Sequence, residues 1–329
     1  MKAAQITGKG RVEIVDIPKP EPRHGEVLIR VESSGICGTD LHMYHGQSMG
    51  SYPIVPGHEF AGVVEALGPG TARIKVGERV AVEPNLSCGN CPACLENRQH
   101  LCHNWQALGV TLPGGMAEYT VAPEYAVFSL GDLDCDSGSF VEPLSCVLHG
   151  VERLNPALGD RILLLGAGPI GLLLMRVMKS AGGSRIDVVE TDAGRRAMAE
   201  KEGMGAALAS LDGVAEKAYD AVVDATGVLA VEQASLKYVR DGGKILFFGV
   251  PPEGGTFPLE PYQLFRRELT LLSSFTSLRN SLQVVRLMAG GAVKVSDLVS
   301  HRPPLDKLED SFKLILEKRE PVLKVVMKP

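Results

Sequence analysis

The sequence lacks the features that mark several classes of protein. Its 34 Lys and Arg residues are outnumbered by 39 Asp and Glu residues, so there is no basic surplus for binding nucleic acid. No apolar run approaches the roughly 20 residues of a membrane-spanning helix, and the N-terminal segment has no apolar core of the signal-peptide type. There is no internal repeat and no low-complexity segment. These absences predict a soluble, cytoplasmic protein that binds neither nucleic acid nor membrane.

Cysteine is present but unevenly distributed. Four of the seven cysteines form the pattern C-x2-C-x2-C-x7-C, which in a reducing cytosol is more often a metal site than a set of disulfides. Short, regular spacing lets one loop place four thiolates tetrahedrally around zinc, and four protein ligands leave no open position. The pattern therefore predicts a structural zinc site, with an iron–sulfur cluster as the main alternative. The predicted ligands are Cys88, Cys91, Cys94 and Cys102.

The pattern of apolar residues along the chain changes around Asp160. Segments such as "GEVLIRVESSGIC" and "GHEFAGVVEALGPG" alternate apolar and polar residues between Gly and Pro breaks, which indicates short strands. From "RILLLG" onwards, apolar strands alternate with helices such as "AVEQASLKYVRDGG", which predicts βαβ units and a parallel sheet. After about residue 276 comes a helical stretch and the strand-like "EPVLKVVMK". The prediction is a β-rich domain, a doubly wound α/β domain, and a tail that could return to the first.

The segment "LLLGAGPIG" has the pattern G-x-G-x-x-G between a buried strand and a helix. Gly166 permits the tight turn, Gly168 lets a pyrophosphate approach the backbone, and Gly171 allows close packing of helix and strand. Pro169 and Ile170 open the helix, whose positive N-terminus would face the phosphates. This context predicts a dinucleotide site.

Glu190 follows Gly171 by nineteen residues, where an acidic residue is expected to bind the ribose hydroxyls. Its charge would repel a 2′-phosphate, so the sequence favours NAD over NADP. Asp192 could share this role. Arg195 and Arg196 follow closely and could instead meet a phosphate.

Other residues with metal-ligand or acid–base chemistry are scattered. None is convincing alone, because a single buried cysteine is usually inert packing and a lone histidine is usually structural. Glu142 differs from the others, because burying a carboxylate in the apolar stretch "SFVEPLSCVLHG" is costly unless a cation lies beside it. The scattered candidates are Cys37, Thr39, Asp40, His42, His58, Glu59 and Glu142.

The order of these residues along the chain is more informative than any of them alone. C-G-T-D-x-H is followed by G-H-E 21 residues after the cysteine, then by the four-cysteine loop, E-P-L and G-x-G-x-x-G. This order resembles the zinc-dependent medium-chain alcohol dehydrogenase family over essentially the whole chain. Glu142, where the best-known members carry cysteine, resembles the polyol (sorbitol-type) branch. The resemblance implies a GroES-like β-rich catalytic domain over 1–144 and 277–329, and a Rossmann NAD-binding domain over 145–276.

The resemblance also implies a catalytic zinc with an open position for substrate. Cys37, His58 and Glu142 would bind it, while Glu59 would bind directly or exchange with water. Asp40 is expected to hydrogen-bond the ring of His58 and fix its tautomer.

The same resemblance implies alcohol oxidation. Zinc makes the alcohol more acidic, and the nicotinamide takes the hydride. Thr39 would receive the substrate proton and pass it through the nicotinamide ribose to His42. Lys324 is expected either at the pyrophosphate or as a solvated surface lysine. Further cofactor contacts are expected at strand ends and beside the glycine turn, from Thr226, Gly227, Gly249, Val250 and Arg195.

The predicted substrate is a polyol, a sugar alcohol or a vicinal diol, with a phosphorylated polyol, threonine or a simple alcohol as alternatives. Zinc-free quinone and enoyl reductases share the fold but lack these ligands. Sorbitol dehydrogenases carry an arginine and a tyrosine where this chain has Thr276 and Ser277, so sorbitol itself is disfavoured. The resemblance further implies a homodimer or homotetramer.

Overall fold

The computed structural model describes residues 1–47, 51–183, 185–318 and 320–329. The chain divides into a first unit, 1–145 with 277–329, and a second unit, 146–276. This division differs by one residue from the boundary expected at 144. None of the helices described here has both the length and the apolar character needed to cross a membrane.

The first unit is rich in short strands. Its N-terminal part contains β1 Lys2–Gly8, β2 Arg11–Asp16, β3 Glu26–Gly35, α1 Gly38–Tyr44, β4 Glu59–Leu67, β5 Arg79–Val82, β6 Asn85–Leu86, α2 Pro92–Leu95, β7 Gln106–Ala107, β8 Tyr119–Pro123, β9 Val127–Ser129, α3 Cys135–Gly138 and the start of α4 Val141–Leu154.

The second unit alternates strand and helix. It contains the end of α4, then β10 Arg161–Leu165, α5 Pro169–Ser180, β11 Arg185–Val189, α6 Ala193–Lys201, β12 Ala207–Leu208, β13 Tyr219–Asp224, α7 Leu229–Tyr238, β14 Val239–Phe247, α8 Pro261–Arg267 and β15 Thr270–Ser273. The segment returning to the first unit contains α9 Ser281–Ala289, β16 Val299–His301, α10 Leu308–Glu317 and β17 Lys324–Met327.

The central sheet of the first unit has the strand order β16-β17-β3-β4-β5-β9, with β8 also paired to β3. β3 is ten residues long and mostly buried, with Val27, Ile29 and Val31 on one face of the strand. It pairs antiparallel with β4 and with β17, so the C-terminal segment completes the sheet begun by the N-terminal one. The end of β3 therefore has neighbours on both sides, and the candidate metal ligands lie there.

The sheet of the second unit is entirely parallel, in the order β12-β11-β10-β13-β14-β15. This is the 3-2-1-4-5-6 order of a doubly wound nucleotide-binding fold, with its switch point between β10 and β13. Ile162, Leu163 and Leu164 are fully buried, as expected of a strand covered by helices on both faces.

One predicted helix is shorter than expected. The sequence predicted a helix through "AVEQASLKYVRDGG", but α7 ends at Tyr238 and β14 begins at Val239. Val239 pairs with Tyr219 of β13, and the register shifts before Ala221 pairs with Lys244. Gly242 lies within β14 and has a φ of +74°, a conformation that favours glycine. The pairing with β13 therefore prevails over the local helical pattern.

Candidate metal centres and cofactor site

The four clustered cysteines lie close together, as the spacing predicted. Their sulfur atoms all lie within 4.8 Å of one another, with 3.5 Å between Cys91 and Cys94 and 3.5 Å between Cys88 and Cys102. Sulfur ligands about 2.3 Å from a tetrahedral zinc are separated by about 3.8 Å. The sulfur arrangement therefore fits a four-coordinate metal ion.

The loop also supplies backbone donors to its sulfurs. Hydrogen bonds from the backbone N–H groups of Asn90 and Cys91 lower the pKa of Cys88 to about 6, whereas burial raises the pKa of Cys94 to about 11. N–H groups of Cys88 and Asn104 point at Cys102 Sγ, each at 3.3 Å. Thiolate ligands require this kind of stabilisation, and a metal ion displaces the remaining protons.

A second group of possible ligands lies at the ends of β3 and β4. Cys37 directly precedes α1, His58 directly precedes β4, and Glu59 is the first residue of β4. The ligand atoms of these three residues lie within 4.8 Å of one another. The antiparallel register pairs Gly35 with Glu59, so the residues just after β3 meet those at the start of β4. His58 and Glu59 are buried, with 6% and 1% exposed.

Electrostatics of this second group favour a cation. Burial lowers the pKa of His58, but Cys37 and Asp40 outweigh that effect and hold the pKa well above its ordinary value. The buried Nδ1 of His58 has no hydrogen-bond partner among the described residues. An imidazole beside a thiol and carboxylates is a donor set that suits zinc, which would take the place of the proton.

Asp40 is completely buried, and its role differs from the one expected. Its Oδ1 lies 3.7 Å from His58 Nδ1, which is too long for a hydrogen bond. Instead, Oδ2 accepts from the backbone N–H of Cys37 at 2.8 Å and Oδ1 from that of Gly57 at 3.2 Å. Asp40 therefore ties together the two loops that carry Cys37 and His58.

Glu142 is buried in the first turn of α4, with 7% exposed. It is not part of the group of mutually close ligand atoms found among the described residues, which consists of Cys37, His58 and Glu59. Its charge nevertheless acts on Lys324, which contacts Glu59. Glu142 therefore lies in the neighbourhood of the group, and Glu59 is the carboxylate closer to Cys37 and His58.

Lys324 was expected either at the pyrophosphate or as a solvated surface lysine, and its environment in the first unit differs from both. Its side chain is buried, donates to the carbonyl of Ile36 at 2.9 Å and forms an ion pair with Glu59. Burial lowers its pKa, but Glu59 and then Cys37 raise it above the ordinary value. Sequence reasoning missed this contact, because only the pairing of β17 with β3 brings the two residues together.

The expected proton-relay residues lie on α1. Thr39 Oγ1 is 3.8 Å from Cys37 Sγ, which puts this hydroxyl beside the metal group. His42 is exposed, one turn further along the helix. Residues three apart share a helix face, so the two side chains lead from the metal group towards solvent.

In the second unit, the glycine turn has the geometry that the pattern predicted. Gly166 has a φ of +97°, which favours glycine. A Cβ on Gly171 would overlap the carbonyl oxygen of Gly166, whereas a Cβ on Gly168 would have only Arg195 Nη1 within 4 Å, at 3.8 Å. Pro169 and Ile170 open α5, with Gly168 as N-cap. The turn therefore leaves open space beside a helix N-terminus, as a pyrophosphate requires.

Glu190 directly follows β11 and is 8% exposed. Its Oε2 accepts from the N–H of Ala167 in the glycine turn, and its Oε1 from the N–H of Asp192, both at 2.8 Å. Glu190 therefore braces the turn. Arg196 Nη1 donates to the carbonyls of Glu190 and Thr191 at 2.8 and 3.2 Å, while Arg195 is half-buried.

The remaining cofactor candidates lie after β13 and β14, at the same edge of the sheet. Asp224, which sequence reasoning missed, is fully buried and accepts from the Thr226 hydroxyl at 2.6 Å and the Gly227 N–H at 2.9 Å. A Cβ on Gly249 would overlap the backbone of Gly227. Val250 is 75% exposed. These loops are therefore close-packed and present an apolar side chain.

Comparison with known proteins agrees with this architecture. Residues 23–132 match the family model described as the alcohol dehydrogenase GroES-like domain, and residues 169–290 match the zinc-binding dehydrogenase model. The expected fold class, a GroES-like domain with a Rossmann domain, is confirmed.

Similar proteins include the D-altritol 5-dehydrogenase of Agrobacterium fabrum, which is 35% identical over 95% of each chain. The sorbitol dehydrogenase of Bacillus subtilis is 32% identical, covering 100% of this chain and 97% of that protein. A zinc-binding dehydrogenase from Sinorhizobium meliloti, solved bound to NADP, has a TM-score of 0.92 and 33% identity, covering 100% of this chain and 99% of its own. The chain therefore belongs to the zinc-dependent medium-chain alcohol dehydrogenase family, in its polyol dehydrogenase branch, and is an oxidoreductase that uses zinc and a nicotinamide cofactor.

Proposed function

We propose that this enzyme oxidises a secondary hydroxyl of a polyol, sugar alcohol or vicinal diol to the ketone, with NAD as acceptor and two zinc ions per chain. The observation that carries the proposal is the pair of distinct ligand groups in the first unit. One consists of four cysteines and the other of Cys37, His58 and Glu59. Four protein ligands leave no room for substrate, whereas three leave an open position.

Cys37, His58 and Glu59 would hold the catalytic zinc and leave one position open. Glu142, whose charge acts on Lys324 beside Glu59, would influence the ion without occupying that position. Bound zinc supplies a Lewis acid that makes a substrate hydroxyl more acidic. Burial of His58 and Glu59 limits the access of water, which strengthens charge interactions in the site. Asp40 holds the two ligand loops at a fixed separation through its backbone hydrogen bonds.

Thr39 is the proposed acceptor of the substrate proton, because its hydroxyl lies beside Cys37. A hydroxyl both accepts and donates hydrogen bonds, so it can pass a proton on without holding a charge. His42 is exposed one turn along α1, and an imidazole ring can both accept and donate a proton. The proposed path therefore leads outwards along one helix.

NAD is the proposed cofactor because the Glu190 carboxylate lies at the glycine turn, where it would repel a 2′-phosphate. Arg195 is the opposing influence, since its guanidinium is the group nearest to the open side of Gly168. The test compares kcat/KM for NAD and NADP. A clear preference for NADP would refute the assignment and would give Arg195 the deciding role.

Substrate class is tested by a panel of polyols, polyol phosphates, diols, threonine and simple alcohols, assayed with NAD. We expect the highest kcat/KM for an unphosphorylated polyol or diol other than sorbitol. Support comes from Glu142 and from Ser277, which is buried and donates to Glu83 at 2.7 Å. Metal analysis is expected to give two zinc ions per chain. Highest activity with a polyol phosphate or threonine, or a single zinc ion, would contradict the proposal.

We also propose a homo-oligomer in the cytoplasm. Strand β15 is the edge of the second unit's sheet, and an unpaired edge can pair with another chain. Tyr262 and Phe265 of α8, directly before β15, are 62% and 79% exposed. Light scattering gives the assembly size, and Phe265→Asp is expected to reduce it. The cysteines of the described residues carry thiols and form no disulfide with one another, which agrees with a reducing compartment.

A further inference from the structure

Lys324 is a buried, positively charged side chain that has no role in the proposed reaction. Its ammonium group donates to the Ile36 carbonyl at 2.9 Å and pairs with Oε2 of Glu59, and only 5% of the residue is exposed. A buried ammonium is costly unless it is paired and hydrogen-bonded. The ion pair with Glu59 and the hydrogen bond to Ile36 therefore compensate the burial of this ammonium group.

Gly35 provides the space for this ion pair. It lies opposite Glu59 in the pairing of β3 with β4, and opposite Val326 in the pairing of β3 with β17. A Cβ on Gly35 would overlap the Glu59 carboxylate and would lie 2.9 Å from Cε of Lys324. Since Gly35 is not among the glycines with positive φ, space alone requires glycine here.

Glu59 therefore faces two cation positions. One of its oxygens lies within 4.8 Å of Cys37 Sγ and of a ring nitrogen of His58, and Oε2 meets the ammonium of Lys324. We propose that Lys324 is a positioning residue that retains Oε2 of Glu59 and leaves only the other oxygen for the catalytic zinc. This inference rests on the metal site in the proposed function.

The role of Lys324 determines how many coordination positions of the zinc Glu59 would occupy. A carboxylate can bind a metal through one oxygen or two, and a glutamate bound through both would occupy the position that substrate needs. Lys324 prevents this by engaging the second oxygen.

Charge balance points the same way. The thiolate of Cys37 and the carboxylates of Glu59 and Glu142 would place three negative charges in one buried region. Zinc compensates two of them, and Lys324 compensates the third.

The test compares Lys324→Met, which removes the charge at similar length, with Lys324→Arg, which keeps it. Lys328→Met is the matched control, because Lys328 pairs with Asp136 outside the metal group. Zinc affinity is measured by competition with a chromophoric chelator. Each variant is then loaded with cobalt, and its visible absorption spectrum is recorded with and without the additional substitution Cys37→Ser. Subtracting the second spectrum from the first removes the contribution of the four-cysteine site.

We expect Lys324→Met to bind the more weakly held zinc about tenfold more tightly and to lose d–d absorption intensity, as a higher coordination number requires. Lys324→Arg and Lys328→Met should keep the wild-type spectrum. In a Glu59→Gln background, Lys324→Met should leave the cobalt spectrum unchanged. If Lys324→Met alone folds poorly, the comparison of Glu59→Gln with the double variant still tests the proposal, because neither protein contains an unpaired buried carboxylate at position 59.

A Lys324→Met spectrum equal to that of the wild type would overturn the proposal, as would the same change with and without Glu59. If wild type and Cys37→Ser give identical cobalt spectra, no metal binds at Cys37. That result would refute the metal site of the proposed function itself, and so differs from a failure of the role of Lys324 alone.

Discussion

The hydroxyl of Ser281 donates a 2.7 Å hydrogen bond to Oε2 of Glu83, although 198 residues separate them in sequence. Ser277 donates to the same oxygen at 2.7 Å, and the side-chain amide of Asn85 donates to Oε1 at 2.7 Å. Glu83 is buried. One carboxylate thus joins the end of β5 to the segment that returns from the second unit.

Replacing Glu83 should therefore destabilise the first unit. In Glu83→Gln, hydrogen bonds to a charged acceptor become neutral ones and an amide donor meets hydroxyl groups, so we expect a loss of about 1.5–3 kcal/mol in the free energy of unfolding. Urea denaturation followed by circular dichroism measures it. The control is Glu65→Gln, whose exposed ion pair with Lys19 should contribute less than about 1 kcal/mol. Equal effects would contradict this interpretation of Glu83.

Two glycines of the same turn should respond differently to alanine. Gly168 has free space where a Cβ would lie, so Gly168→Ala should fold with nearly unchanged stability and lose NAD affinity by tenfold or more, because the methyl group occupies the place of the pyrophosphate. Gly171→Ala forces a clash with Gly166 and should cost about 1–3 kcal/mol of stability. Calorimetry of NAD binding and thermal unfolding separate the effects. Parallel losses in both variants would show that Gly168 serves packing instead.

The two proposed zinc sites should separate activity from stability. Glu142→Ala should lower kcat/KM by about 10–100-fold and weaken one zinc ion, while the melting temperature changes little. Cys91→Ser should lower the melting temperature and weaken the other zinc ion, because a structural zinc contributes directly to folding. Zinc content, activity and thermal unfolding are measured together. Similar profiles for both variants would mean that the roles of the two sites are misassigned.

Asp136 should contribute to acid sensitivity. Burial raises its pKa, but hydrogen bonds from Lys328, Arg302 and Ser33 outweigh this and lower the pKa from 3.8 to about 2. Because the folded pKa lies below the unfolded one, the carboxylate stabilises the fold fully above a pH of about 4, and this contribution is lost as the pH falls towards about 2. The difference in unfolding free energy between wild type and Asp136→Asn should therefore shrink below a pH of about 4.

Urea unfolding at several pH values between about 3 and about 7 measures that difference. The exposed Asp310, paired only at the surface with Lys307, provides Asp310→Asn as the control with a small and nearly constant difference. A difference for Asp136→Asn that stays constant across the range would contradict the assignment.

The doubly wound sheet was predictable because its signals are local. The apolar run of β10, the three glycines after it and the acid at Glu190 each depend on neighbouring residues, and the sequence reports such spacing directly. The four-cysteine loop is local in the same way. Helix α7 is the exception, since pairing of Val239 with Tyr219 is a long-range effect that shortened a locally plausible helix.

The second metal group was recognisable only by resemblance to a family. Cys37 and His58 are brought together by the register of β3 and β4, which no local pattern specifies. The partners of Asp40 and Lys324 were missed for the same reason. Backbone N–H groups of Cys37 and Gly57 leave no trace in sequence, and Lys324 meets Glu59 only through the sheet that β17 completes.

Trp105 is the single tryptophan of the chain. It packs against the cluster of Cys91, Cys94 and Cys102, and its indole N–H donates to Asn85 at 3.1 Å. All the indole fluorescence of the protein thus originates beside the four-cysteine loop. The enzyme consequently carries an intrinsic optical probe of metal occupancy there, whose emission should change when a chelator empties that loop, whatever the state of the catalytic ligands.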